Sequence, residues 1–145
     1  MIGPHSSPNM RVIGTLVVPF VLMFGVYVIA HGHYGPGGGF AGGVIVAVGV
    51  ILVRMIAPTD LSQRFFPPGL ALWLMVGGMG LFVVMGLLAV AWGGDVLDYA
   101  SLPFPGDDSR RRYLSILIIE FGVGAAVSGA MVFIFDLLAS LERDS

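Results

Sequence analysis

Cysteine is missing altogether, and the seven basic residues are all arginine. Without thiols there are no disulfides, thiolate zinc sites, iron–sulfur clusters or cysteine nucleophiles. Charge is scarce as well: charged residues make up 11% of the 145-residue chain, roughly half the share of a soluble domain. The net charge of −2 comes with no run of arginines long enough to track a phosphate backbone, which excludes nucleic acid as a partner.

What the chain has in quantity is apolar residues, at 57%, with a mean hydropathy of +0.94. They fall into four blocks, about Val12–Ala30, Phe40–Ala57, Leu70–Trp92 and Tyr113–Leu138. Each is near the ~20 residues an α-helix needs to cross a ~30 Å hydrocarbon core. The expected fold is therefore an all-α membrane protein, a bundle of four transmembrane helices forming one domain over residues 1–145. The first block is of full span length and has no small-residue cleavage pattern after Ile29-Ala30, so it reads as a retained helix and not a signal peptide. Pro19 inside it predicts a kink.

The joints are short. His31-Gly32-His33-Tyr34-Gly35-Pro36-Gly37-Gly38-Gly39 predicts a tight reversal and an antiparallel pairing of the first two helices. Pro58 to Gly69 reads as a helix stop and restart, and Gly93 to Arg112 as the main extramembrane surface, with Trp92, Tyr99, Phe104 and Tyr113 as interfacial aromatics. The arginine balance, Arg11, Arg54, Arg64 and Arg143 against Arg110, Arg111 and Arg112, leans towards cytoplasmic termini in the inner membrane.

The string Gly37-Gly38-Gly39-Phe40-Ala41-Gly42 satisfies G-x-G-x-x-G but follows a membrane helix instead of a strand, so dinucleotide binding is rejected. Gly39, Gly43 and Ala47 recur at helical spacing and predict close approach of another backbone. Glu120, flanked by Ile118, Ile119 and Phe121, is a carboxylate deep in the fourth block, where it requires a partner or a purpose: a proton or cation relay, or a hydrogen bond to a neighbouring helix. Gly124 and Ser128 continue its face, and Gly122, Ala126 and Gly129 form a second small strip. Asp136 and the pair His31 and His33 are further candidates for a proton or cation route, weighed against headgroup anchoring and a solvated interfacial pair. Arg54 reads as a snorkelling anchor at the end of the second helix. No third ligand accompanies the histidines, so no metal or other cofactor is expected, and the sparse polar residues offer no enzyme active site.

The run from His31 to Gly43, with its Pro36-Gly37-Gly38-Gly39-Phe40 core and trailing Gly42-Gly43, closely resembles the MrpB (MnhB) family of multisubunit sodium/proton antiporters. Glu120-Phe121-Gly122-Val123-Gly124 is similar to that family's Glu-x-Gly-Val pattern. The resemblance spans nearly the whole chain. It implies a small helical bundle that works as a non-catalytic subunit among large antiporter-like subunits and other small membrane subunits, with Na⁺ and H⁺ as the transported ions. Related modules accompany membrane-bound hydrogenase-type complexes, which leaves such a respiratory complex as an alternative parent. A purely structural assembly subunit and a stand-alone small transporter are the competing readings.

Overall fold

The computed structural model describes residues 8–32 and 38–144, and among them only helix and irregular backbone occur. Five helices follow one another: α1 (Pro8–His31), α2 (Gly38–Ile56), α3 (Thr59–Phe65), α4 (Pro68–Ala91) and α5 (Asp108–Asp144). Four stretches are long and apolar enough to cross a membrane, one each in α1, α2 and α5 and one running through α3 and α4. The protein is an all-α membrane protein with four spanning helices.

The helices pack in the lateral order α1, α2, α5, α4, with α5 also touching α1. Contacts at the small residues fix the directions. Gly14 lies against Ile56 and Gly25 against Val46, so α1 and α2 are antiparallel. Gly39 meets Glu120, Gly43 meets Gly124 and Arg54 meets Asp136, so α2 and α5 run parallel. Gly78 meets Gly122 and Ala126 while Gly129 meets Ala71, which makes α4 antiparallel to α5.

Apolar side chains gain little by leaving lipid for one another, so these contacts depend on close packing at small residues. A Cβ on Gly43 would lie 2.7 Å from the Gly124 carbonyl oxygen, and one on Gly78 would strike the Gly122 carbonyl. Helix α5 is apolar and small on two sides at once, which is why it sits inside the row with α2 on one flank and α4 on the other.

Two buried clusters mark the core. Ala47, Val50, Ala71 and Val132 fill the middle of the row. Met85, Ala89, Leu102 and Ile119 close one end, where residues 92–107 fold back onto α4 and α5. Leu102 is only 1% exposed, and Tyr99 and Phe104 pack beside it. The long joint is thus partly a cap on the bundle, held by Ser115 Oγ near the Tyr99 carbonyl (3.3 Å) and by Arg111 Nε donating to the Phe104 carbonyl at 3.1 Å.

The structure adds detail to the sequence reading in three places. The Pro58–Gly69 joint contains a helix, α3, because Pro58 starts a turn whose backbone bonds continue from Ser62 N to the Pro58 carbonyl (3.0 Å) and from Phe66 N to the Ser62 carbonyl (3.0 Å). Helix α5 begins at Asp108 and runs to Asp144, beyond both ends of its apolar block, with Asp108 in its first turn where an acid suits the exposed amides. Tyr99 and Phe104 are partly buried in the cap. Helix α1 continues through Pro19 as one element.

Candidate functional site: the Glu120 cradle

Helix α1 ends at His31 and α2 begins at Gly38, and the two ends meet the side of α5 at Glu120. Glu120 lies twelve residues into α5, so α5 continues about 18 Å past the level at which the α1–α2 hairpin turns. The carboxylate rests against two glycines. A Cβ on Gly38 would sit 2.6 Å from Oε1 and 2.8 Å from Oε2, and one on Gly32 would run into Oε2. Gly38 has φ +50°, a conformation that glycine adopts without strain. Gly39 brings its backbone onto the Glu120 carbonyl.

This arrangement gives the carboxylate an unusual setting. The amide end of α2, at Gly38, favours an anion, whereas the carbonyl end of α1, at Gly32, favours a cation or a proton on the same acid. Glu120 Oε2 is shut off from solvent and makes no hydrogen bond. A cavity of about 390 Å³ lies beside it, lined by Gly32, Gly38, Gly39, Phe40, Ile119, Glu120 and Val123. Phe40 stands at its rim, 64% exposed. A buried carboxylate oxygen without a partner is costly in an apolar setting, which sets Glu120 apart from the other acids among the described residues.

The other sequence candidates are distributed around it. His31 is one residue from Gly32, and its ring stacks on Tyr27 (centroids 4.1 Å apart) with Nδ1 3.1 Å from the Tyr27 carbonyl oxygen. Gly42 packs against Ile29 and Gly25 of α1, while Gly43 packs against Gly124. His33, Pro36 and Gly37 lie outside the described residues.

Asp136 is at the opposite end of the α2–α5 seam, sixteen residues or about 24 Å along α5 from Glu120. It pairs with Arg54, Oδ2 to Nη2 at 3.0 Å. Arg54 is therefore no snorkelling anchor. Its side chain is 8% exposed and also donates to the Phe66 carbonyl at 2.8 Å, with Ser62 Oγ 3.5 Å away. The sequence puts both residues near helix ends, but the contact depends on α2 and α5 being neighbours and parallel, which no local pattern records. Between the two charged ends the seam is filled by Ala47, Val50 and Val132, each at most 4% exposed. Ser128 in this stretch donates to its own helix at Ala125. No group of three or more acidic or histidine residues that could hold a metal occurs among the described residues.

Comparison with known proteins matches this architecture to one family. A model of the domain related to the MnhB subunit of Na⁺/H⁺ antiporters covers residues 9–133. The chain is 27% identical over 133 residues to the Na⁺/H⁺ antiporter B subunit of Bacillus subtilis, covering 88% of this chain and 89% of that one. It is 28% identical over 134 residues to the putative antiporter subunit mnhB2 of Staphylococcus haemolyticus, with 90% and 92% covered. The putative mnhB2 subunit of a Staphylococcus aureus strain is 27% identical over 127 residues, with 85% and 87% covered. With the matched segment taking in α2, α4, the Gly38–Gly43 stretch and Glu120, the chain belongs to the MnhB family.

Proposed function

We propose that the chain is a non-catalytic membrane subunit of a multisubunit Na⁺/H⁺ antiporter that helps to assemble the complex, and that Glu120 supplies one titratable group of the ion or proton route. Family membership supports the first part, and the names of the relatives favour an antiporter over a hydrogenase-type respiratory complex. A single observation carries the second: Glu120 Oε2 is buried and unpartnered in a glycine cradle that opens onto a cavity. Among the described residues, Ala47, Val50 and Val132 fill the α2–α5 seam between Glu120 and Asp136, and Ser128 there is bonded within its own helix, so the seam itself gives no continuous polar path. The route therefore passes laterally, and neighbouring subunits supply the other groups. The arginine distribution supports placement in the cell's inner membrane with cytoplasmic termini, an orientation that reporter fusions at either terminus would test.

The test is Glu120→Gln in the assembled complex, with Na⁺/H⁺ exchange followed by a pH-sensitive dye in inverted vesicles. Loss of exchange with the complex intact is expected, and Glu120→Asp should retain part of it. Unchanged exchange would favour the second reading, a scaffold subunit.

A further inference from the structure

We infer that the Glu120 cavity is a socket for a basic side chain, lysine or arginine, carried on a membrane helix of a neighbouring subunit. Such a socket rests on the role proposed for Glu120 and names what faces it.

Charge supports it first. Glu120 has no ion-pair partner among the described residues, and Oε2 accepts no hydrogen bond. The chain has no lysine to offer. Arg54 is committed to Asp136 at the far end of the seam, and Arg112, the nearest basic residue along α5, is eight residues or about 12 Å away along the helix. A carboxylate with one oxygen buried against three helices, and with the arginines among the described residues engaged or distant, calls for a cation from outside those residues.

The shape of the cavity distinguishes a side chain from a bare metal ion. Among the described residues Glu120 is the sole lining residue with a polar side chain, the rest being glycine backbone, Phe40, Ile119 and Val123. No group of three acidic or histidine side chains gathers here among the described residues to hold a metal ion. Apolar walls leading to a single acid fit the methylene stem and charged tip of a lysine or arginine.

Access is the third support. Helix α1 ends at His31 and α2 begins at Gly38, both beside Glu120, while α5 continues past that level, and the Phe40 ring next to the cavity is exposed. A partner helix seated against Phe40 would bring its side chain in over that ring.

The chain's lack of cysteine makes the test direct. Phe40→Cys, as the subunit's single thiol, is labelled with a benzophenone maleimide in the purified complex and photolysed, and the adduct is located by mass spectrometry. The expected adduct is on a membrane helix of another subunit, within one turn of a lysine or arginine. In parallel, Glu120→Gln should lower recovery of that subunit several-fold with this chain still present in the membrane. Adducts on lipid alone, or on a helix without a basic residue near the site, would overturn the proposal. Exchange assayed on the same preparations separates it from the wider reading. If exchange is lost while partner recovery is unchanged and no basic residue is found, the socket fails and the route reading stands. If the adduct forms beside a basic residue and recovery falls, yet the remaining complex exchanges normally, the socket stands and the route reading fails.

Discussion

Arg54 and Asp136 meet across the α2–α5 seam, Nη2 to Oδ2 at 3.0 Å, at the end of the row opposite Glu120. The guanidinium also reaches the Phe66 carbonyl, so one side chain ties α2 to α5 and to the residue that ends α3. Removing either partner strands a charge. Arg54→Met or Asp136→Asn should each cost about 2–3 kcal/mol, below the ~3–5 kcal/mol of a fully buried pair because Asp136 keeps 27% of its side chain exposed. Thermal unfolding of the purified chain in detergent measures this. The double variant Arg54→Met with Asp136→Leu should cost clearly less than the two singles added, as for residues that interact directly.

The glycines divide by what surrounds them, and substitution should follow that division. Gly38→Ala places a Cβ against the Glu120 carboxylate at φ +50° and should destabilise by about 1–2 kcal/mol from the backbone alone. Gly77 and Gly80, on the outward side of α4, would have nothing within 4 Å of an added Cβ. Ala at either position should be neutral or should stabilise the isolated chain by up to ~1 kcal/mol through helix propensity. The same melting assay separates the two groups. Equal effects at Gly38 and Gly77 would count against the cradle.

Much of this arrangement is legible in the residues. The four apolar blocks give the spans because lipid imposes a length, and the Gly39, Gly43, Ala47 stripe anticipates the α2–α5 seam, with Ala47 fully buried. Glu120 stands out because a carboxylate among Ile118, Ile119 and Phe121 is anomalous wherever it points. What the sequence does not convey is adjacency between distant segments. Arg54 near a helix end looks the same whether it meets headgroups or Asp136, and the choice depends on parallel packing of helices separated by α3 and α4. Helix α3 is hard to see in the residues because seven positions between prolines are too few to show a period. Leu102 is one of several apolar residues in the long joint, with Val96, Leu97, Tyr99 and Phe104, so nothing local singles it out as the anchor.

The α4–α5 contact rests on Gly78. A Cβ there would lie 2.6 Å from the Ala126 amide nitrogen and would strike the Gly122 carbonyl, and backbone atoms cannot move aside as a side chain can. Gly78→Ala should therefore push α4 off α5 and cost about 1–3 kcal/mol despite its better helix propensity. Amide exchange in α4 and α5 should rise while α1 and α2 stay protected, because those two helices pack on each other and on the opposite flank of α5.

Leu102 fastens the 92–107 segment to the bundle, and the consequence extends to the site. It packs with Met85, Ala89 and Ile119, and Ile119 directly precedes Glu120. Leu102→Ala removes the largest fully buried side chain among the described residues and should cost about 2–5 kcal/mol locally, the usual range for emptying a core leucine site. The cost should appear as faster amide exchange in the cap, since Ser115 and Arg111 still hold Tyr99 and Phe104 from α5 and keep the segment from separating fully. Because the Glu120 cradle is built by Gly32, Gly38 and Gly39 from the other hairpin, the carboxylate should stay in place. Na⁺/H⁺ exchange by the complex should then survive Leu102→Ala far better than Glu120→Gln. If both variants abolished exchange equally while the complex remained assembled, the cap and not the cradle would be the part of this subunit on which transport depends.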